Sequence, residues 1–294
     1  MTSAVSLLFI FTNLWSGDGN LLANTTILRR ATARLYIIIP STIMQIIYED
    51  NHLIIVSKTC HEIVQADKTG DEPLAETLKR LIKERDQKPG NVFLGVTHRL
   101  DRPTTGTVIF AKTSKALERM NRMFANGEIH KTYWAIVPVS RPMQRDDDGR
   151  YAGFVADGVL VEADLTHWIV RNEKQNCSYA YDTLADAMRH APQKECKEAR
   201  LHYRVIAATE RYALLEVQLF TGRHHQIRCQ LSHIGLPIKG DLKYGAPRSN
   251  PDGGISLHSR RARFIHPVSK VEVDVTSPVP DDVLWMALEA AIEA

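Results

Sequence analysis

Short runs of β-branched residues, separated by polar turns, constrain the fold of this chain more than any other sequence feature. Ile46–Tyr48 and Leu53–Ser57 lie on either side of one such turn and predict a hairpin. Leu201–Ala207 and Tyr212–Phe220 flank a second turn in the same way. Because hairpins join strands that run in opposite directions, the pattern favours an antiparallel sheet.

Other apolar runs add strands and a few helices. Strands are predicted at Val92–Leu94, Thr107–Ala111, Thr132–Val137, Leu257–Phe264 and Val271–Val275. Helices are predicted after Pro73, from a cap at Ser114, after Thr221-Gly222 and over Leu284–Ile292. The strands and helices do not alternate at βαβ spacing. The sequence therefore predicts an α+β fold with a mixed, largely antiparallel central sheet and flanking helices.

Two polar stretches interrupt this pattern. Ser140–Arg150 is rich in Asp and Arg and is expected to be a loop. Gln175–Arg200 is polar and variable in character, and we expect it to be a surface excursion.

The first 43 residues differ from the rest of the chain. They contain one acidic residue, and their apolar cluster at Val5–Trp15 is too short to span a bilayer and lacks the basic stretch of a secretory signal. Folded-domain patterning begins just after Met44. We therefore expect residues 1–43 to be an extension that is disordered or precedes the true start, and residues 44–294 to be one folded domain. The expected protein is a cytoplasmic monomer without membrane contact.

Composition limits the class of protein without identifying it. The 294 residues carry a formal net charge of +3, and residues 44–294 carry about +1 from 34 basic and 33 acidic side chains. Four cysteines lie far apart with no C-x-x-C spacing, so neither a disulfide framework nor a thiolate zinc site is expected. Near-neutral charge leaves a nucleic-acid partner open, because binding needs a local basic patch rather than a global excess.

The segment His98–Gly106 is the first of three with candidate chemistry. Asp101 lies between Arg99 and Arg102 in a tight loop joining two predicted strands. The arginines would keep its carboxylate ionised, and an ionised carboxylate suits nucleophilic attack on a sugar. By spacing alone, the favoured interpretation is a turn in which Asp101 caps the loop and the arginines are solvated.

The segment Thr221–Arg228 is the second. A glycine allows a sharp turn into a helix whose first turn is crowded with polar side chains, and such a terminus attracts an anion, either a phosphate or the Asp101 carboxylate. The adjacent pair His224 and His225 does not have the spacing of zinc ligands, so we expect packing and hydrogen bonding there.

Gly240–Gly245 is the third segment and predicts a loop bounded by glycines. Near it, His258–Arg263 places basic side chains on a strand, either as a solvated face or as contacts to a phosphate backbone. The chain has no P-loop, no dinucleotide fingerprint, no H-E-x-x-H and no G-x-S-x-G. Nucleotide hydrolysis, dinucleotide redox and serine hydrolysis therefore lack motif support.

Taken together, these segments resemble the RluA-like family of pseudouridine synthases. The family patterns H-R-L-D-x-x-T-S-G, K-x-Y-x-A, T-G-R-x-H-Q-I-R and G-D-x-x-Y-G correspond, in the family's order, to His98–Gly106, Lys131–Ala135, Thr221–Arg228 and Gly240–Gly245. The resemblance covers residues from about 45 to 285. Thr105 stands where the family usually has Ser, and Thr59 stands where Pro is common. The first 43 residues have no counterpart in the family.

The resemblance implies a pseudouridine synthase that isomerises uridine in structured RNA, either ribosomal or transfer RNA, without a cofactor or metal. Asp101 would be the nucleophile, Arg228 would orient it, and Tyr133 would stack on the flipped uracil or take its C5 proton. The resemblance further implies substrate binding by His98, Arg99, Thr105, Arg223 and Gln226. Arg99 would support the space that the extruded base leaves, since chemistry on a base requires its removal from the stack.

Two other functions remain open from the residues. An RNA N-glycosidase also needs a carboxylate at a ribose carbon, although glycosidases usually employ two. An RNA-binding module without activity would not need Asp101.

Overall fold

The computed structural model describes the backbone of residues 26–29, 35–39, 42–67 and 70–292, and the side chains from residue 45 onward within these ranges. Its strands are β1 (Thr26–Arg29), β2 (Leu35–Ile39), β3 (Thr42–Glu49), β4 (Leu53–Lys58), β5 (Gly95–Val96), β6 (Thr105–Ala111), β7 (His130–Pro138), β8 (Phe154–Ala156), β9 (Val159–Leu160), β10 (Glu162–Asn172), β11 (Cys177–Tyr181), β12 (Cys196–Ala208), β13 (Tyr212–Leu219), β14 (Leu257–Ile265) and β15 (Glu272–Thr276).

Five α-helices accompany these strands in the described ranges: α1 (Leu74–Arg85), α2 (Ser114–Ala125), α3 (Leu184–His190), α4 (Gln226–His233) and α5 (Val283–Ala290). None of them combines the length and the apolar character needed to cross a bilayer.

One large sheet organises the molecule. Its main path runs β1-β2-β3-β4-β6-β14-β7-β13-β12-β10-β11, with β5 beside β6 and β15 beside β14. Every pair in this sheet is antiparallel except β14 with β6. The predicted α+β fold with a mixed, largely antiparallel sheet is confirmed, and the structural reason is that hairpins make most of the connections.

The alternation of side chains along β4 and β6 explains how helices cover both faces. Ile54, Val56, Val108 and Phe110 share one cluster with the buried face of α1, while Leu53, Ile55 and Ile109 share another with α2. Both strands are therefore buried on two sides, which is why they form continuous apolar runs instead of alternating with polar residues. The helix predicted after Pro73 is α1, and it buries one apolar face formed by Leu74, Leu78, Leu81 and Ile82.

Two local predictions are wrong. The strand expected at Val92–Leu94 is instead the two-residue β5, Gly95–Val96, which pairs with the end of β6. The cap expected at Ser114 is Thr113, whose backbone is extended and whose hydroxyl accepts a hydrogen bond from the amide of Ala116. Both residues have capping side chains, and the one with non-helical backbone takes the role.

The predicted surface excursion at Gln175–Arg200 is also wrong. This stretch supplies β11, α3 and the start of β12, which complete one edge of the sheet. Its buried side chains are small, among them Cys177, Ala180, Ala187 and Ala199. Small residues give a weak hydrophobic pattern, so the sequence did not predict that this edge is packed.

The expectation for residues 1–43 falls mostly outside the described residues. Within that stretch, β1 and β2 form an antiparallel hairpin that extends the sheet from β3. Whether Met44 is the working start therefore stays a prediction.

Candidate active site

Asp101 lies on the loop that joins β5 to β6, and Lys58 fixes this loop from behind. The Lys58 residue is 1% exposed. Its Nζ donates hydrogen bonds to three carbonyl oxygens, those of Thr59 (2.7 Å), Arg102 (2.8 Å) and Thr104 (2.8 Å). Burial lowers the pKa of Lys58 to about 8, so its ammonium group remains mostly charged at neutral pH. The carboxylate is thus presented on a loop held by a buried cation.

Gly106 ends the same loop and tolerates no larger residue. Its φ is 109°, and a Cβ would lie 2.4 Å from the backbone oxygen of Ser259 on β14. Ser259 in turn pairs with Tyr133 on β7. The close contact places the end of the Asp101 loop beside β14, which is paired on its other edge with the strand that carries Tyr133.

Arg228, in the first turns of α4, connects Asp101 to a second carboxylate. Its Nη1 donates to Oδ2 of Asp101 at 2.9 Å, while Nε and Nη2 donate to the two oxygens of Asp241 at 2.6 and 2.9 Å. Arg228 is 4% exposed and Asp241 is 1% exposed. The paired contact with Asp241 fixes the plane of the guanidinium, so its remaining donor points at Asp101.

This arrangement decides the charge of Asp101. Burial would raise the pKa of the carboxyl group, but the imidazole of His225 and the guanidinium of Arg228 beside it outweigh this effect, and the pKa lies below its ordinary value. Asp101 is therefore ionised at neutral pH.

His225, whose backbone is left-handed with φ 53°, approaches the same oxygen of Asp101 as Arg228 does. The Tyr244 hydroxyl accepts a hydrogen bond from the amide of Ser178 at 2.7 Å, so its own proton goes to Nδ1 of His225, 2.9 Å away. Burial lowers the pKa of His225 to about 3, so the ring is neutral. We therefore assign the ring proton to Nε2, which lies 3.6 Å from Oδ2 of Asp101. His224 stacks on this ring at 3.8 Å, as the expected packing of the histidine pair requires.

Tyr133 contributes a phenol to the same space. It is 6% exposed on β7, and burial raises its pKa to about 12. The phenol is therefore protonated at neutral pH.

A cavity of about 800 Å³ lies beside this group of residues, and Asp101, Tyr133, His225 and Arg228 line it. Seven of the eight residues predicted for the site line it: Asp101, Tyr133, Arg228, His98, Arg99, Arg223 and Gln226. Lys131 and Arg200 add two further positive charges, and Asp101 is the sole acid among the described residues of its wall. A cavity of this size with a cationic wall suits an anionic ligand as large as a nucleotide.

Thr105 is the predicted residue that the structure keeps apart from this wall. Its hydroxyl lies 2.8 Å from Nδ1 of His258 on β14, and the neighbouring Thr104 lines the cavity instead. Because Thr105 begins β6, the alternation of the strand sets the direction of its side chain, which points to His258 and not to the cavity.

His98 and Gln226 are bound within the protein. Nε2 of His98 accepts the amide proton of Ile109 at 3.1 Å, and burial lowers the pKa of His98 to about 3. Oε1 of Gln226 accepts from the Thr221 hydroxyl (2.8 Å) and the Arg223 amide (2.9 Å). These contacts position the loops on either side of the cavity and leave the two side chains little capacity to contact a ligand.

Sequence reasoning missed four residues of this site: Lys58, Lys131, Asp241 and Tyr244. The last two belong to the Gly240–Gly245 segment, and Lys131 opens the segment that contains Tyr133, so their motifs marked them without revealing their contacts. Burial lowers the pKa of Lys131 to about 8, and its Nζ lies 5.4 Å from the centre of the Phe124 ring.

A separate cluster at the end of α4 has residues with metal-ligand chemistry: His167, Asp182 and His233. Nε2 of Gln230 donates to Nδ1 of His167, which places the proton of this neutral ring on the nitrogen that faces Asp182. In this arrangement the hydrogen bonds and the contact with Asp182 connect α4 to β10 and to the residue that follows β11.

Comparison with solved structures identifies the architecture. Human RNA pseudouridylate synthase domain containing 4 superposes with a TM-score of 0.59 at 20% identity, covering 84% of this chain and 92% of that one. Human RNA pseudouridylate synthase domain containing 1 gives 0.53 at 20% identity. The sheet and its flanking helices therefore have the pseudouridine synthase fold.

Comparison of sequences shows the family of the chain in addition to its fold. The family model of RNA pseudouridylate synthases matches residues 52–233, well over half of the chain. The chain belongs to the RNA pseudouridylate synthase family, whose members are isomerases that act on RNA. The predicted family is thereby confirmed.

The curated relatives agree on this class. A tRNA pseudouridine synthase C from Vibrio cholerae is 31% identical over 83% of this chain and 94% of its own length. A ribosomal large subunit pseudouridine synthase D from Xylella fastidiosa is 28% identical over 81% of this chain and 67% of its own. The chain spans 59% of a tRNA pseudouridine synthase C from Pectobacterium carotovorum, with 29% identity.

Proposed function

We propose that this protein converts uridine to pseudouridine in transfer or ribosomal RNA, with Asp101 as the nucleophile. The observation that carries the proposal is the ionised carboxylate of Asp101, held by Arg228 and Asp241 in a cationic cavity beside Tyr133. The family and the activities named for its relatives support the reaction and the class of substrate.

The reaction balances without a cofactor. A carboxylate oxygen of Asp101 bonds to the ribose or the base of the target nucleotide, and the bond between N1 and the ribose breaks. The uracil turns, its C5 bonds to the ribose, and the bond to the Asp101 oxygen breaks, which restores the carboxylate. The C5 proton is removed and N1 gains a proton. Substrate and product are isomers, so no oxidant, energy source or second substrate enters.

The neighbours of Asp101 take distinct parts in this scheme. Arg228 keeps the carboxylate ionised and directs it, because Asp241 fixes the guanidinium. Tyr133 stacks on the uracil. Its pKa of about 12 supports stacking over proton abstraction at neutral pH, since a protonated phenol is a poor base.

Base extrusion involves the exposed side of the cavity. Arg99 is exposed at the start of the Asp101 loop and lines the cavity, where it can fill the space that the flipped base leaves. Extrusion is least costly where stacking is weak, which favours loops and bulges of structured RNA as substrates.

Asp101→Asn is the direct test. It removes the nucleophilic charge and preserves the shape of the side chain, so we expect no detectable pseudouridine and nearly unchanged RNA binding. Total RNA from a strain without the gene, treated with wild-type or variant protein, would be mapped for pseudouridine. Asp148→Asn, on an exposed loop acid, is the matched control and should keep full activity. Normal turnover by Asp101→Asn would exclude Asp101 as the nucleophile.

Hydrolysis of the glycosidic bond is the competing reaction. It is disfavoured because Asp101 is the single acid on the described cavity wall, whereas glycosidases commonly pair two carboxylates. Chromatography of the reaction supernatant separates the two reactions, since hydrolysis releases free uracil and isomerisation releases nothing.

A further inference from the structure

Phe220 is an aromatic side chain exposed at the cavity that contains Asp101. It directly follows β13, is 55% exposed and lines this cavity. Two other phenylalanines are similarly exposed, Phe93 at 47% and Phe154 at 44%, and neither lines the cavity. Exposing a phenylalanine ring to water at a binding site is unfavourable unless a ligand covers it.

The backbone beneath Phe220 is fixed. The amide of Phe220 donates to the carbonyl oxygen of Arg200 at 3.1 Å, and the amide of Arg200 donates to the Thr221 hydroxyl at 2.9 Å. The same hydroxyl donates to Oε1 of Gln226. Phe220 thus lies at a strand end whose backbone is held by hydrogen bonds. Ligand binding there costs little backbone conformational entropy.

Cationic side chains line the same cavity as this ring: Arg99, Arg200 and Arg223. Arg200 is paired with Glu198 at 3.3 Å, while among the described residues the guanidinium of Arg223 donates from Nε alone, to the backbone oxygen of Glu198. Aromatic rings interleaved with arginines are the usual surface for single-stranded nucleic acid, where bases stack and phosphates meet charge.

A second groove continues from this point. It has a volume of about 710 Å³ and shares Gly222 and Arg223 with the first cavity. Four more basic residues line it, Arg171, Lys174, Lys194 and Lys197, against two acids, Glu173 and Glu195. A strand leaving the cavity past Phe220 would therefore enter a groove with an excess of positive charge.

We propose that Phe220 is a stacking platform for the base of one nucleotide flanking the target uridine, with Arg223 and the adjoining basic groove holding the backbone beyond it. This rests on the proposed function and extends it to a second nucleotide. A platform of this kind accepts any base, because every base has a π face, so it adds affinity for an opened strand without reading its sequence.

Phe220→Ala measures the contribution of the ring. Loss of one base–aromatic stack predicts a rise in KM of about 5- to 150-fold. The value of kcat should change little, because the proposed platform binds a flanking nucleotide and not the uridine that reacts. Phe220→Trp should restore KM. Phe154→Ala removes an equally exposed phenylalanine outside the cavity and should leave KM unchanged; circular dichroism checks that each variant is folded.

RNA with single abasic sites decides what the ring touches. The substrate is a synthetic stem-loop around a uridine mapped as above, with one base at a time removed on either side of the target. For the wild type, one flanking abasic site should raise KM as much as Phe220→Ala does. On that RNA alone, the wild type and Phe220→Ala should become equal.

Two outcomes would overturn the platform: a Phe220→Ala effect no larger than that of Phe154→Ala, or a Phe220→Ala penalty that persists on every abasic RNA. Absence of pseudouridine with any RNA would refute the proposed function instead. In that case binding of a nine-nucleotide oligouridylate, intact and abasic, still tests the platform by the same comparison of Phe220→Ala with Phe154→Ala.

Discussion

The two sides of the cavity are built differently. Behind Asp101 lies a support formed by Lys58, Arg228 and Asp241, each at most 4% exposed and each with all its charge engaged by the protein. Facing solvent lies a rim formed by Arg99, Phe220 and Arg223, all exposed and sparsely bonded.

The difference separates two tasks. The support fixes one carboxylate in position and protonation state, and because its charges are buried, loss of any partner leaves an uncompensated charge. The rim contacts a large, variable ligand, and because its groups are solvated, each contributes modestly and in a salt-dependent way. Variants should therefore affect folding and turnover on one side, and affinity on the other.

The largest effect is expected from Asp241→Ala. It leaves two donors of buried Arg228 without a partner, so the free energy of unfolding should fall by about 3–5 kcal/mol. Urea denaturation measures this. Asp274→Ala breaks the exposed pair with Arg261 and should cost less than about 1 kcal/mol. Equal losses in the two variants would show that the support is no more important than a surface ion pair.

Lys58→Met should come next. It leaves the carbonyls of Arg102 and Thr104 without a donor in a dry setting, which predicts a loss of about 1–3 kcal/mol in unfolding free energy. Because the loop of Asp101 is loosened, kcat should fall while KM for RNA is maintained. Lys115→Met, on the exposed face of α2, is the matched control. A change in KM alone would assign Lys58 to RNA binding.

Lys131 lies between the two regions and predicts a pH effect. Its pKa of about 8 means that the cavity loses a positive charge as pH rises through 8, so RNA affinity should weaken there. Lys131→Arg should bind RNA without this pH dependence, since arginine stays charged. Fluorescence titration at pH 6.5 to 9.5 measures the curve. If Lys131→Met shows the same pH dependence of RNA affinity as the wild type, a group other than Lys131 is responsible for it.

The same pKa has an opposite consequence for stability. Folded Lys131 releases its proton near pH 8, whereas the unfolded side chain holds it up to its ordinary value of 10.5. The unfolded chain therefore binds more protons in this window, and the unfolding free energy should rise with pH across it. Lys58, with a pKa also of about 8, adds in the same direction.

The smallest effect is expected at the rim. Arg99→Gln removes one exposed charge, so RNA affinity should weaken uniformly across sequences, and the slope of log affinity against log salt should shrink by about 1. Arg122→Gln, on exposed α2, should leave the slope unchanged. An unaltered slope for Arg99→Gln would mean that this side chain meets no phosphate.

The sequence predicted the fold class because hairpin turns and apolar runs are local. It failed at the edge formed by β11, α3 and the start of β12, where the buried residues are small and the pattern is weak. Resemblance to the family's motifs marked Asp101, Tyr133 and Arg228, and the structure brings all three to one cavity. The motifs did not reveal that Thr105 lies outside the lining of this cavity, because the partner of a strand residue depends on register.

By itself, the sequence determined which elements form, which loops are sharp and which segments hold charged residues in unusual density. Only the tertiary structure determined which side chains contact one another. Lys58 and Thr104 lie 46 positions apart along the chain, and Arg228 and Asp101 lie 127 positions apart. Such contacts follow from strand order and packing of the sheet. Local preference extends over a few residues, whereas the electrostatics of Asp101 are set by Arg228 and His225, which only the folded chain brings within 4 Å of it.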